Sequence, residues 1–273
     1  MLAAAKINLA LHVTGLRPNG YHLLDSLVCF ADVGDIVTVR PSDQLSLTLA
    51  GPRAKDLPQG SSNIVLKAAR SFGPDFGAAI HLDKRLPVAA GIGGGSADAA
   101  AALRALAVLW DAPLPDINAQ LALGADVPAC VVSKTLRMTG IGEQITLVPN
   151  MPKFEAVLVN PGVAVSTQDV FKALPKTNNP PLEVLPAGRS QAEWLDWMKR
   201  QRNDLEVPAL RIAPVMIDCL TALHDADGCE LVSMSGSGAT CFGIYASARQ
   251  ARAAAMQIMA FHPDWWIRPT RLG

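Results

Sequence analysis

The sequence predicts an α+β protein of two domains, and three stretches of the chain carry that prediction. Residues 5–13 alternate apolar and polar side chains, which is typical of a half-buried strand. A glycine-rich loop at residues 91–95 runs into a long alanine-rich stretch, the pattern of a loop followed by a helix. Prolines at both ends of the segment 149–152 mark a boundary, so we expect domains at residues 1–150 and 151–273.

Composition places the chain among globular proteins. Half of its 273 residues are apolar, 18% are charged, and 24 basic side chains balance 24 acidic ones, so a global attraction to nucleic acid or to an anionic membrane is excluded. The five cysteines form no CxxC pair, which favours reduced thiols. The first residues lack the pattern of a signal peptide, and the longest apolar stretch, residues 97–110, is too short to span a bilayer. We therefore expect a cytoplasmic protein without nucleic-acid or membrane partners.

The first predicted strand places two polar side chains on one face. Lys6 and Asn8 alternate with apolar residues and therefore lie side by side. An ordinary strand with a solvated polar face explains the same pattern. For the strand taken alone, that is the better interpretation.

Tyr21 and His22 directly follow a turn at residues 15–20, whose Asn-Gly step signals a chain reversal. The two rings either stack on and hydrogen-bond a heterocycle, or close a hairpin, and both interpretations have similar weight. The strands predicted after this turn lie at residues 23–31, 35–40 and 45–49.

A helix at residues 63–72 and a strand at residues 78–82 are predicted before the glycine loop. Lys84 and Arg85 then lie just upstream of the loop. Basic side chains there would help to hold phosphates, but a two-residue charged pair is usually solvated surface. We expect the surface position.

The four glycines within residues 91–95 directly precede a helix that we expect to begin at Ser96. Glycine lets backbone N–H groups turn toward one point, and a helix N-terminus adds unpaired N–H groups and the positive end of its dipole. This combination predicts an anion site, most often for phosphate. The loop is neither a Walker A motif, because no lysine follows Gly95, nor a dinucleotide fingerprint, because the glycine spacing differs.

Asp126 is an isolated carboxylate that follows a helix predicted at residues 116–123. Pro128 fixes the start of the next helical turn after it. Asp126 is therefore either a helix cap or a catalytic group, and the local sequence favours the cap.

The second half of the chain alternates strands with capped helices. Ser166 and Ser190 each begin a capping-box pattern, and a second loop of small residues, 233–240, joins two strands. The strands predicted here lie at residues 154–159, 230–234, 240–245 and 265–268. The helices begin at residues 167 and 191, cover residues 205–224 with breaks at Pro208 and Pro214, and end with residues 248–261.

Three motifs, taken in order, resemble those of the GHMP kinases, the family of the galactokinase, homoserine, mevalonate and phosphomevalonate kinases. They are the N-terminal strand, the segment Pro87-x-x-x-Gly91-Ile-Gly-Gly-Gly-Ser96, and the segment Gly236-Ser237-Gly238. Four further pieces resemble the members that phosphorylate the 2-hydroxyl of 4-diphosphocytidyl-2-C-methyl-D-erythritol in the non-mevalonate isoprenoid route. These are residues 5–9, 20–22, 124–128 and 203–206. The resemblance spans nearly the whole chain and departs from the family pattern at Ala97 and at Ala129-Cys130.

The resemblance implies a two-domain GHMP kinase fold with the active site in the cleft between the domains, using ATP and Mg²⁺. It implies that Lys6 and Asp126 meet at the hydroxyl to be phosphorylated. The residues it implies for ATP binding are Asn63, Pro87, Gly91, Gly93, Gly94, Gly95 and Ser96. The residues it implies for the substrate are Asn8, Tyr21, His22, Thr167, Phe171, Gly236, Ser237 and Gly238. Within this set the base would stack between Tyr21 and Phe171.

Two alternatives remain: a sister kinase acting on homoserine or a mevalonate, and a nucleotide-binding regulator without catalysis. A small substrate would leave Tyr21, His22 and Phe171 without a role, and the presence of both Lys6 and Asp126 argues against a regulator. We expect a monomer or weak homodimer. The sequence identifies no protein ligand for Mg²⁺.

Overall fold

The prediction of an α+β protein is confirmed by the computed structural model, which describes residues 1–74, 76–188 and 190–273. Contacts within the chain define two compact units. Unit 1 comprises Met1–Lys6, Val33–Val88 and Gly93–Ser133, and unit 2 comprises Ile7–Asp32, Ala89–Ile92 and Lys134–Gly273. The domain boundary between residues 150 and 151, and the placement of the active site between two domains, stay predictions.

The first two strands contribute residues to both units. They are β1 (Leu2–Leu16) and β2 (His22–Pro41), and they pair with each other. In unit 1, β2 also pairs antiparallel with β4 (Ala78–Asp83), which in turn pairs parallel with β3 (Ser46–Ala50).

The prediction of separate strands at residues 23–31 and 35–40 is wrong, because β2 is continuous. The reason lies at Gly34, where an added Cβ would be 2.2 Å from the backbone oxygen of Ala3. Glycine is needed here because the backbone of β1 comes so close, and the strand does not break at this point.

The helices of unit 1 include a long central one rich in alanine. Its small buried side chains, such as Ala99 and Ala102, bring the neighbouring helices close to it. The helices are α1 (Ile64–Arg70), α2 (Gly94–Trp110), α3 (Ile117–Leu123) and α4 (Val127–Val132), with 3₁₀ turns at Ala54–Asp56 and Gly60–Ser62.

Unit 2 has an antiparallel sheet with β7 near its middle. Its strands, in spatial order, are β10 (Trp266–Leu272), β7 (Phe154–Asn160), β9 (Cys241–Tyr245) and β8 (Cys229–Met234). On the other side of β10, Leu272 lies opposite Ala31 of β2. The part of β2 in unit 2 also pairs with β5 (Leu136–Gly140), and β5 pairs with β6 (Gln144–Leu147).

Several helices lie in the described part of unit 2. They are α5 (Thr167–Lys172), α6 (Gln191–Arg200), α7 (Glu206–Ile212), α8 (Val215–His224) and α9 (Ala248–Phe261). Both predicted capping serines are confirmed, because Ser166 accepts from the N–H of Asp169 and Ser190 accepts from the N–H of Glu193. Apolar side chains of the sheet and of α7, α8 and α9 form one buried core.

No helix in the described part of the chain is long and apolar enough to cross a bilayer. The five cysteines are free thiols, as predicted, and all but Cys229 are buried.

Candidate active site

The glycine loop ends in a helix N-terminus, as predicted, but α2 begins at Gly94 and not at Ser96. Gly93 is the N-cap and adopts the left-handed conformation, with φ of 62°, which glycine tolerates and most residues do not. The N–H of Ala97 donates to the carbonyl of Gly93 at 2.8 Å. The N–H groups of Gly94, Gly95 and Ser96 precede that bond and have no acceptor within the helix. They are the candidate anion site.

Lys6 and Asp126 meet, as the resemblance implies. Lys6 Nζ lies 2.9 Å from Asp126 Oδ2, the lysine side chain is buried, and the aspartate side chain keeps 34% of its surface exposed. Asp126 occupies the N-cap position of α4, as the local sequence predicts, but its side chain makes no capping hydrogen bond. The aliphatic part of Lys6 also lies beside the loop, because an added Cβ at Gly93 would be 3.3 Å from Lys6 Cβ. The ion pair is thus adjacent to the start of α2.

Lys84 is not solvated surface, and that expectation is wrong. Its ammonium is buried and lies 2.6 Å from a carboxylate oxygen of Asp35 and 2.6 Å from one of Asp98. We call these three residues the Lys84 triad. Arg85 is exposed, as expected. The partners of Lys84 are 49 and 14 residues away in the chain, so the local sequence gave no sign of them.

Asn63 is the N-cap of α1. Its Oδ1 accepts from the N–H of Val65 at 2.9 Å, and its Nδ2 donates to the carbonyl of Pro58 at 2.9 Å. The side chain is buried, so its structural role is clear and its place near a nucleotide stays a prediction. Pro87, also buried, precedes the loop.

Asn8, in unit 2, is held by two serines that the sequence interpretation missed. Asn8 Nδ2 donates to Ser26 Oγ at 2.8 Å, and the N–H of Asn8 donates to Ser235 Oγ at 3.1 Å. Asn8 Oδ1 is buried and has no hydrogen-bond partner among the residues that the structure describes. A buried amide oxygen without a partner is costly, so a ligand donor is the natural partner for it.

His22 and Phe171 stack on each other, with ring centroids 4.7 Å apart and planes inclined by 27°. Burial lowers the pKa of His22, which favours a neutral imidazole. Tyr21 is 59% exposed. The structure therefore pairs His22 with Phe171, and a base between Tyr21 and Phe171 stays a prediction.

Within unit 2, the second small-residue loop contacts the segment 89–92, which includes Gly91 at the start of the glycine loop. Ser235 Oγ donates to the carbonyl of Gly91 at 3.0 Å, and a Cβ on Gly91 would be 2.6 Å from the Gly238 oxygen. Only glycine fits such an approach of two backbones. Asn203, from one of the quoted motifs, holds the second loop by donating to the carbonyls of Met234 at 2.8 Å and Gly236 at 2.9 Å.

Thr167 and Ser237, both predicted for the substrate, are hydrogen-bonded through their hydroxyl groups at 2.8 Å. This bond links the start of α5 to the second loop. All predicted substrate residues lie in unit 2, and the predicted catalytic and ATP-binding residues lie in unit 1, except Gly91.

Within residues 1–74, 76–188 and 190–273, no group of three or more His, Cys, Asp or Glu side chains is arranged to hold a metal ion. A pre-formed cage of protein ligands is therefore not part of this portion of the chain.

The chain matches two sequence families described as the GHMP kinases N terminal domain, over residues 63–134, and the GHMP kinases C terminal domain, over residues 184–261. The 4-diphosphocytidyl-2-C-methyl-D-erythritol kinase of Cereibacter sphaeroides is 55% identical over 99% of this chain and 98% of its own length. The chain therefore belongs to the GHMP kinase family, and both parts of the family's fold are represented in it.

Two solved structures are also similar. A crystal structure of 4-(cytidine 5'-diphospho)-2C-methyl-D-erythritol kinase superposes with a TM-score of 0.82 and 32% identity, covering 100% of this chain and 98% of that one. Mevalonate kinase of L. major in complex with R-mevalonate superposes with a TM-score of 0.68 over 99% of this chain and 94% of that one. Its identity is only 14%, so this second likeness concerns the fold alone.

Proposed function

We propose that the chain is an ATP-dependent kinase that phosphorylates the 2-hydroxyl of 4-diphosphocytidyl-2-C-methyl-D-erythritol. The observation that carries the proposal is the Lys6–Asp126 pair, which lies beside the start of α2. A carboxylate held by a lysine next to a phosphate-binding helix N-terminus is an arrangement suited to phosphoryl transfer to a hydroxyl. The relative that is 55% identical carries the same activity in its name.

The phosphates of ATP are assigned to the N-terminus of α2. The N–H groups of Gly94, Gly95 and Ser96 lack helical acceptors there, and the helix dipole adds a positive potential. Phosphoryl transfer passes through a loose transition state, in which positioning and charge neutralisation matter more than a strong base. The free backbone donors and Lys6 supply that neutralisation.

Asp126 is assigned the proton of the acceptor hydroxyl. As the hydroxyl oxygen bonds to the γ-phosphorus and the bond to the bridging oxygen of ADP breaks, Asp126 Oδ accepts the proton. Lys6 holds the carboxylate at 2.9 Å and neutralises charge near it. General-base assistance of this kind contributes roughly 10²–10⁴ in rate.

Mg²⁺ is proposed to arrive with ATP. Magnesium usually keeps several waters and uses one or two carboxylates together with substrate phosphates, so it needs no cluster of protein ligands. The protein oxygen near the loop that fits this role is the Ser96 hydroxyl, which lies 3.5 Å from an added Cβ on Gly124. When bound, the ion neutralises charge on the phosphates.

The cytidylyl substrate is assigned to unit 2. Asn8 offers a buried, unpaired amide oxygen within the described structure, and Phe171 and His22 offer stacked rings. A diphosphate-linked pyrimidine nucleoside uses both features, whereas homoserine or a mevalonate has no ring to stack. Gly236–Gly238, held by Asn203, are proposed to close the site near this substrate.

We further propose a cytoplasmic enzyme that is a monomer or weak homodimer. The reduced cysteines support the cytoplasmic location.

Asp126→Asn is the direct test of the catalytic assignment. The amide has the same shape but accepts protons poorly, so kcat is expected to fall by roughly 10²–10⁴ with KM for ATP little changed. Turnover is measured as ADP release with ATP, Mg²⁺ and a panel of the cytidylyl substrate, homoserine and mevalonate. Asp264→Asn, in an exposed turn, serves as the control.

Near-normal turnover of the Asp126→Asn variant would show that Asp126 is not the base. Turnover of homoserine or mevalonate in preference to the cytidylyl substrate would replace the proposed substrate, and nucleotide binding without turnover of any of them would favour the regulator.

A further inference from the structure

The Lys84 triad is a buried charged group that the proposed mechanism does not use. Lys84, Asp35 and Asp98 each expose 1% of their surface or less. Lys84 Nζ donates to Asp35 Oδ2 and to Asp98 Oδ2, both at 2.6 Å. All three residues belong to unit 1.

Asp35 fixes the backbone that leads into the glycine loop. Its second oxygen, Oδ1, accepts from the N–H of Arg85 at 2.6 Å and from the N–H of Leu86 at 2.8 Å. The carboxylate therefore ties β2 to the residues just before Pro87.

Asp98 fixes the other side of the loop. It is the fifth residue of α2, and its bond to Lys84 ties the first turns of this helix to the same ammonium. The ammonium also lies directly under the helix start, because an added Cβ at Gly94 would be 3.3 Å from Lys84 Nζ. A single ammonium thus lies beside the first residue of α2 and is bonded to the fifth.

Stability alone explains the Lys84 triad poorly. Two carboxylates share one ammonium without solvent, and well-packed apolar side chains would often be as stable or more stable at such a site. Asp98 Oδ1 is buried with no hydrogen-bond partner among the described residues, and Asp98 Oδ2 accepts the bond from Lys84. The Lys84 triad therefore holds the segments around the glycine loop in one geometry, although charged and polar groups must be buried to form it.

The surroundings shift the pKa values of two members of the Lys84 triad. Burial raises the pKa of Asp98 well above its usual range, and the neighbouring charge of Asp35 adds to this, while Lys84 acts in the opposite direction. For Lys84, burial lowers the pKa, but the two carboxylates outweigh it and the net shift is upward. Burial and the charge of Asp35 thus act against ionisation of Asp98, and the Lys84 ammonium acts in its favour.

We propose that the Lys84 triad is a positioning device for ATP, which holds the N–H groups of Gly94, Gly95 and Ser96 in the geometry that the phosphates require. This inference rests on the proposed kinase function. Lys84 and Asp98 are positioning residues in it, because they hold the backbone donors and are assigned no contact with a reacting atom.

Asp98→Ala tests the proposal. It removes the tie between α2 and Lys84 and keeps the Lys84–Asp35 pair. We expect KM for ATP to rise roughly 10–100-fold, because a displacement of the binding donors by about 1 Å has effects of this size. KM for the cytidylyl substrate and kcat at saturating ATP should change little. Binding of the β,γ-imido analogue of ATP, measured by calorimetry, should weaken by the same factor.

Two further variants separate positioning from mere stability. In Asp98→Asn the amide oxygen can still accept a hydrogen bond from the Lys84 ammonium. KM for ATP should therefore return to within about 3-fold of the original value. Thr270→Val removes a partly buried hydrogen bond to Asp32 in unit 2 and should lower the melting temperature without changing either KM. If Asp98→Ala is insoluble, Asp98→Ser takes its place, because its hydroxyl is too short to span the distance to Lys84.

The proposal is overturned if Asp98→Ala lowers only the melting temperature, if it raises both KM values equally, or if Asp98→Asn fails to restore ATP binding. A failure of the kinase function is recognised separately, because the unaltered protein would then bind the ATP analogue without turning over the cytidylyl substrate.

Discussion

At the scale of single residues, local sequence predicts the role of a side chain poorly when its partners lie far away along the chain. Asp126 resembles a helix cap until Lys6 is seen beside it, and Lys84 resembles surface until Asp35 and Asp98 surround it. Periodicity and turn chemistry report on neighbours within a few residues, whereas an ion pair between distant segments depends on the whole fold. Motif resemblance brought Lys6 and Asp126 together, and no such aid existed for the Lys84 triad.

His12 is a residue-scale determinant of the pH dependence of stability. Its Nδ1 lies 3.0 Å from the carbonyl of Pro180, and its Nε2 accepts from the N–H of Arg202 at 3.3 Å, so the partners suit a neutral ring protonated on Nδ1. Burial lowers the pKa of His12, and the charge of Arg202 lowers it further. A second proton on the ring would face the Arg202 N–H.

We therefore expect the protein to lose stability as the pH falls below about 6.5, the unperturbed value for histidine. The unfolded chain binds the proton first, so the folding free energy contributed by the neutral ring is present above that pH and decreases below it, by at most about 1.4 kcal/mol per pH unit for one group. Denaturant unfolding between pH 5 and 8 measures the slope. His12→Gln should reduce it, and equal slopes for both proteins would contradict the assignment.

At the scale of elements, most helices and strands follow from short-range pattern. The helix α9 has the predicted bounds, and both capping serines begin their helices. Errors occur where glycine has a second use. Gly34 allows β1 to approach and does not end β2, and Gly94 is the first residue of α2 and not part of a loop. From sequence alone, a glycine that turns the chain and one that makes room for a neighbour look the same.

Asn63 has two roles to separate, as the cap of α1 and as a proposed neighbour of the nucleotide. Asn63→Ser keeps an oxygen for the cap and removes the amide donors, whereas Asn63→Ala removes both. We expect the alanine variant to lose about 0.5–2 kcal/mol of unfolding free energy, and the serine variant to lose less. Both should raise KM for ATP several-fold, since both lack the amide.

Asp116→Ala is the matched control, since Asp116 caps α3 by accepting from the N–H of Ala119 at 2.8 Å. It should lose stability and keep KM for ATP. A serine variant with an unchanged KM for ATP would limit Asn63 to its capping role.

At the scale of the whole molecule, the chain assigns its proposed tasks to two units that are not continuous in sequence. Residues 7–32 belong to unit 2 although unit 1 contains the residues directly before and after them. Asn8, Tyr21 and His22 therefore share a unit with Phe171 and Thr167. The order of these residues along the sequence does not show that they belong to one unit, because the composition of each unit depends on which strands pair.

Phe171→Ala tests that division of tasks. Loss of the ring from unit 2 should raise KM for the cytidylyl substrate by roughly 10-fold, since stacking of one base on an aromatic ring is worth about 1–3 kcal/mol. ATP binding is assigned mainly to unit 1, so KM for ATP should stay within about 2-fold of its original value. Phe261→Ala, at the end of α9 with 78% of the phenylalanine exposed, is the control for loss of an aromatic ring.

A rise in KM for ATP after Phe171→Ala would mean that the ring contacts ATP. ATP would then be assigned to unit 2 and the cytidylyl substrate to unit 1.

The glycine N-cap of α2 also has a spectroscopic consequence. Gly94, Gly95 and Ser96 are at least partly exposed and have no helical acceptor, whereas the N–H of Ala97 is hydrogen-bonded to Gly93. Amide hydrogens on the two sides of that bond differ in exchange with solvent deuterium, so a boundary between fast and slow exchange falls between residues 96 and 97. Phosphates bound at this helix end would slow the three preceding amides and move the boundary toward Gly93. Occupancy of the site can therefore be followed residue by residue, without turnover.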